Sequence, residues 1–136
     1  MNIEVYWSFH DFVEGGQNPI ADWYRQDLLD GGKFGFDALL KSSAKTKSEL
    51  QWSGFKYLKG ELRNEKIWQI AFVADSKQYR VLGVFKPARQ AVLLVGCYHK
   101  GKIYTPQNAL DTVIKRAKAL REKKAGISER KIKFDL

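Results

Sequence analysis

Residues 67–98 read IWQIAFVADSKQYRVLGVFKPARQAVLLVGCY, three apolar runs separated by two short polar breaks. Ile67 to Val73, Tyr79 to Phe85 and Ala91 to Tyr98 are rich in β-branched and aromatic residues, which favour extended backbone. The breaks, Ala74-Asp75-Ser76-Lys77 and Lys86-Pro87-Ala88-Arg89, are turn-like. Runs this close in sequence predict consecutive strands paired as antiparallel hairpins. The third run is apolar on both faces, which predicts a central strand covered on one side by helices.

Upstream, the period is helical. Asn18-Pro19 predicts a helix start, with Asn18 as N-cap and Pro19 at the first helical position, where a missing N–H costs nothing. Ile20, Trp23, Tyr24 and Leu28 fall near one face, and Gly31-Gly32 is expected to end that helix. A second helix is predicted over Gly35 to Ser43, a polar loop over Lys41 to Ser48, and a short first strand where Ile3, Val5 and Trp7 alternate with polar neighbours. Downstream, Thr105-Pro106 is expected to open a last helix with an apolar stripe of Leu110, Val113, Ile114, Ala117 and Leu120, capped by Gly126. The fold class predicted is α+β: helices packed on a small twisted antiparallel sheet, one domain over residues 1–136, ending in a basic tail from about residue 127.

The 136 residues carry 24 Lys and Arg against 15 Asp and Glu, a net charge of +9. Residues 1–50 hold five basic and eight acidic side chains, a net −3, and residues 51–136 hold 19 against seven, a net +12. The basicity therefore belongs to the second half, and a polyanion is the expected partner, nucleic acid ahead of a membrane surface. The longest apolar stretch falls far short of the roughly 20 residues that span a bilayer. Met1-Asn2-Ile3-Glu4 has no basic start leading into an apolar run, so no secretory signal is expected. A single cysteine, Cys97, excludes an intrachain disulfide, and a reducing cytoplasm is the expected location.

The chain has no phosphate-binding glycine loop, no dinucleotide turn and no His-Glu-x-x-His pair, and its only histidines are His10 and His99. Neither a metal nor a cofactor is expected. Cys97 and His99 share a strand face by spacing, yet Cys97 lies in the most apolar run, where inert packing is its expected role. The cluster that stands out is Tyr98, His99, Lys100, Lys102 and Tyr104, with Arg80 a lone charge inside an apolar strand that calls for a partner or a polar cleft. Lys56, Lys59, Arg63 and Lys66 add positive charge before the strands, and Arg116 stands on the basic last helix.

Such a set can hold a phosphodiester and stack a base. It can also cut RNA without a metal, because the ribose 2′-OH is a nucleophile already tethered to the phosphate it attacks. Arg80 and Lys100 would stabilise the developing charge, His99 would transfer protons, and Tyr104 would stack on or position a base. Nucleic-acid or acidic-partner binding without cleavage is the competing reading of the same residues.

Leu58-Lys59-Gly60, Ile67-Trp68-Gln69-Ile70, Gln78 to Phe85, a turn ending in Arg89, the strand Val92 to Cys97, a Lys-rich loop, Thr105-Pro106 and a basic helix follow one another in an order that resembles the RelE/ParE toxin superfamily, most of all its HigB-like, phage-derived group. The resemblance spans Tyr57 to Lys124. It implies a helical hairpin and a C-terminal helix around a twisted antiparallel sheet. It further implies a type II toxin that cuts messenger RNA, often on the ribosome, and is neutralised by a small antitoxin, such as a helix-turn-helix protein from an adjacent gene. The family's strand arginine corresponds to Arg80, and its basic residues and tyrosine after the last strand correspond to Lys100, Lys102 and Tyr104. Where many relatives carry an arginine, this chain has Ala71, with Arg63 or Lys66 as substitutes. Another branch of the superfamily poisons DNA gyrase, so a gyrase inhibitor or a phage protein without nuclease activity is the alternative the same fold allows.

Overall fold

A computed structural model describes residues 3–134. The strands are β1 (Ser8–Val13), β2 (Lys56–Tyr57), β3 (Trp68–Ala74), β4 (Lys77–Lys86), β5 (Gln90–Lys100), β6 (Ile103–Thr105) and β7 (Gly126–Glu129); the helices are α1 (Pro19–Asp27), α2 (Asp30–Ala44), α3 (Glu61–Asn64) and α4 (Ala109–Arg121). Among the described residues the fold is thus α+β, with four helices and an open sheet of seven strands in the order β2-β3-β4-β5-β1-β7, β6 pairing with β5.

The predicted meander is present: β3–β4 and β4–β5 are both antiparallel. Asp75 and Ser76 turn the first hairpin with φ of 51° and 61°, the backbone hand that suits a two-residue connection. The sheet as a whole is mixed, because β1 runs parallel to β5. Helices also cover both of its faces, and not one as expected. On one face α1 and α2 bury Trp23, Phe36, Leu39 and Leu40 against Trp68, Ile70 and Leu93. On the other, α4 buries Val113, Ala117 and Leu120 against Leu82, Val84, Val92 and Leu94.

Several boundaries differ from expectation for physical reasons. The first strand begins at Ser8 and runs through Phe9 and Phe12, while Trp7 enters an aromatic cluster and donates its indole N–H to Thr46 O at 3.0 Å. Of the alternating Ile3, Val5 and Trp7, only Trp7 is anchored in the core, and Val5 is exposed, so the pattern does not mark a ladder. Asn18 caps α1 as predicted, accepting from Ala21 N at 2.9 Å. Gly31 and Gly32 do not end that helix; they form the first turn of α2, where a Cβ on Gly31 would lie 2.8 Å from Asp75 Oδ1. α2 also extends to Ala44, into the stretch expected to be a loop.

The last helix starts at Ala109, not at Pro106, and ends before Gly126. Lys124 N bonds to Ala119 O and Lys123 adopts a φ of 60°, a left-handed cap made without glycine. Gly126 instead opens β7, which pairs antiparallel with the outer side of β1. The stretch expected to be a basic tail is therefore an edge strand, with Ile132 and Phe134 packed on the core; Met1, Asn2, Asp135 and Leu136 lie outside the described residues.

One irregularity positions the site. β4 and β5 slip by one residue at Leu82/Gly83, leaving Leu94 as the extra residue of a bulge. Leu94 and Val95 then both join the α4 side, and every later residue of β5 changes face. Gly96 comes to lie under Trp23, and Cys97 and His99 come to share a face with Arg80. Gly83 allows the close approach: a Cβ there would stand 2.3 Å from Val92 O and 2.7 Å from Trp68 Cη2. Gly83→Ala is expected to cost at least about 1–3 kcal/mol, measured as a lower urea midpoint with an unchanged slope.

Candidate nucleic-acid interface on the open half of the sheet

α4 covers only the half of its face nearest Val84 and Val92. Beyond it, cross-strand rows become progressively more exposed, from a first row in which Cys97 is still buried to a second in which Val73 and Gln78 are exposed. One row is Ala71, Arg80 and Cys97; the next is Val73, Gln78, His99 and Tyr104. Lys56, opposite Gln69 on β2, extends the same face toward the sheet edge. Lys56, Gln69, Gln78, Arg80, His99 and Tyr104 include three basic side chains and no carboxylate.

Arg80 is half-buried. Its Nη1 donates to Tyr79 O at 3.1 Å and its Nη2 approaches Gln78 Oε1 at 3.4 Å, while its Nε is buried with no partner. The His99 and Tyr104 rings meet edge to face, centroids 4.2 Å apart, and His99 Nε2 is likewise buried and unpartnered. Two buried polar atoms without partners are a cost to the fold, which marks this end of the sheet as a place where structure is not set by stability alone.

The electrostatics follow from the same geometry. Burial, then the charges of Arg80 and Lys56, hold the His99 imidazole below its usual range, so it is neutral at neutral pH. Burial pushes the Tyr104 hydroxyl up, against the opposing pull of Arg80. Burial also pushes the Cys97 thiol up to about 12, and its Sγ lies 3.5 Å from Arg80 O, the environment of an inert packed cysteine.

The expected residues do not all converge. Arg80, His99 and Tyr104 do. Lys100 follows His99 in the strand and so faces the opposite side, with Tyr98, while Lys102 is exposed on the β5–β6 turn. Lys59, Arg63 and Lys66 are exposed along the α3 segment, whose Leu62 packs on the same core cluster as α4. Arg116 stands apart. It donates to Leu94 O at 2.7 Å, covering the stretch of β5 that neither β1 nor β6 pairs, and burial lowers its pKa.

Gln69 and Gln78 were not singled out in the sequence, although each is two residues from another member of the face, the period that marks a shared strand side. Among the described residues, no group of three or more His, Cys, Asp or Glu could hold a metal ion, and no helix is long and apolar enough to cross a membrane.

No curated protein and no solved structure matches the chain. The family model for Phage derived protein Gp49-like (DUF891) matches residues 38–118, from the middle of α2 through most of α4 and including every strand of the open face. That match covers more than half of the sequence, and the family is associated with the toxins of toxin-antitoxin systems. The chain belongs to the Gp49-like family of phage-derived proteins.

Proposed function

We propose that this protein is the toxin of a type II toxin-antitoxin pair, with a RelE/ParE-like, HigB-like mode of action: a metal-independent endoribonuclease that cuts messenger RNA in the cytoplasm, in association with the ribosome. The observation that carries this reading is the convergence of Arg80, His99 and Tyr104 on a sheet face that α4 leaves open, with Arg80 Nε and His99 Nε2 both unpartnered.

On that face the scissile phosphate sits against the Arg80 guanidinium, with Lys56 adding charge from β2. Neutral His99 takes the proton of the 2′-OH as the 2′-oxygen bonds to phosphorus. Arg80 stabilises the negative charge that develops on the phosphoryl oxygens. The bond from phosphorus to the 5′-oxygen then breaks, the 5′-oxygen collecting a proton from the imidazolium just formed or from water. The products are a 2′,3′-cyclic phosphate and a 5′-hydroxyl. Lys59, Arg63, Lys66, Lys100 and Lys102, all exposed, contribute to holding the RNA through its backbone, whereas Arg116 is engaged with Leu94 O. The cognate antitoxin is a small protein with an acidic segment that covers this basic half and associates quickly because of the charge difference.

Expression without the antitoxin is expected to arrest growth and to yield messenger RNA fragments with 2′,3′-cyclic phosphate ends. Arrest with intact transcripts would overturn the reading. Ala71 favours the competing one: it stands in the same row as Arg80, where the resemblance implies an arginine in many relatives, and Gly54 is so near that a Cβ there would lie 2.5 Å from Ala71 Cβ. A gyrase inhibitor would give DNA damage signalling instead, and a protein that has lost nuclease activity would give no arrest.

A further inference from the structure

The opposite face of the same sheet end carries a second set of groups. Phe72, Tyr79 and Tyr98 form a cross-strand aromatic row, with Phe72 and Tyr79 stacked at 5.0 Å and Tyr79 meeting Tyr98 edge-on at 6.1 Å. Phe72 and Tyr79 are buried, but Tyr98 is half-exposed, and Lys77 Nζ lies over its ring, 4.8 Å from the centroid. Tyr98 borders an open cavity of about 520 Å³ at the end of the sheet, lined by Lys77 and Lys100 on this face and also by Gln78 and His99, which belong to the other face. Lys77 and Lys100, both exposed, lie one step beyond the paired residues Gln78 and His99, so two cations stand side by side at the end of the sheet, where an anion could lie between them.

We propose that this cavity is a nucleotide subsite for single-stranded RNA: a base stacks on Tyr98 in the place Lys77 now occupies, and Lys77 and Lys100 hold the adjoining phosphate. The proposal rests on the RNA-cleaving reading of the neighbouring face and extends it. The strand crosses the end of the sheet between the β3–β4 and β5–β6 turns, from Tyr98 on one side to Arg80 and His99 on the other. A ring already held by Tyr79 needs little ordering to receive a base. A duplex cannot present an unstacked base, so the subsite selects single strands.

The test is binding of a short 2′-O-methylated single-stranded RNA of mixed sequence, which cannot be cut, followed by fluorescence anisotropy. Tyr98→Leu is expected to weaken binding about tenfold, while Tyr98→Phe binds as the unaltered protein does. Lys77→Gln, on an exposed side chain, is expected to lower the slope of log K against log salt by about one contact. It decides the matter if Tyr98→Leu fails to fold. If Tyr98→Leu and Lys77→Gln both bind normally while Arg80→Gln binds weakly, the subsite is wrong and the cleavage reading stands. If the unaltered protein binds no RNA, both fall. Equal binding of a 2′-O-methylated RNA duplex also overturns the subsite.

Discussion

Arg130→Ala is expected to destabilise the fold by about 3–5 kcal/mol, on the order of 10 °C in melting temperature. Arg130 follows β7 and donates two hydrogen bonds to Asp11 of β1, at 2.8 and 2.9 Å, with side-chain exposures of only 16% and 6%. Asp11 accepts a third from Asn18 Nδ2 at 3.1 Å, so one carboxylate joins the first strand, the cap of α1 and the C-terminal segment. The guanidinium also lies over the rings of Tyr24 and Phe36, at 5.3 and 5.4 Å. Truncation removes the packing and leaves Asp11 nearly buried with its charge unpaired. Arg130→Met separates the two effects, since it keeps a long apolar stem over the rings and removes only the charge. The pair Asp11→Asn with Arg130→Met is expected to lose less than the sum of its singles. A melting temperature unchanged in Arg130→Ala would mean that the C-terminal segment does not hold the sheet, contrary to its place in the core.

The meander was legible because its cues are local: β-branched runs and turn residues a few positions apart determine both pairings. What was not legible depends on contacts distant in sequence. β1 carries His10 and Asp11 in its middle, so it lacks an apolar signature, and the charge that makes Asp11 tolerable there comes from Arg130, 119 residues away. β7 looked like a solvated tail because its charges were visible and its partner strand was not. At the site, the Leu94 bulge lies inside a run apolar on both faces, where a one-residue slip leaves no trace in the pattern. Yet the slip decides that His99 joins Arg80. That neighbouring residues face opposite ways was legible, and it alone separates Lys100 from His99. Arg116 shows the limit of reading charge as surface: a cation on a basic helix serves here to satisfy a backbone carbonyl.

Arg80→Gln is expected to reduce RNA cleavage about 10²–10³-fold, the usual cost of removing one preorganised donor to transition-state charge. Arg80 is also one of the cations that, after burial, hold the His99 imidazole low, and this second role gives a readout that loss of binding would not. If neutral His99 is the base, the rate rises with pH through its lowered pKa and levels off above it. Removing the Arg80 charge raises that pKa, so the acid limb in Arg80→Gln moves to higher pH, toward the ordinary histidine value, while the plateau falls. Arg80→Lys keeps the charge near His99 but not the fork that grips two phosphoryl oxygens. It is expected to restore the position of the limb more fully than the height of the plateau. Single-turnover cleavage measured across pH for the three proteins separates the two roles. A rate that falls with rising pH through the same region would mean that His99 acts as the imidazolium and not as the base. A plateau unchanged in Arg80→Gln would mean that the phosphate is held elsewhere, with Lys56 and the α3 segment.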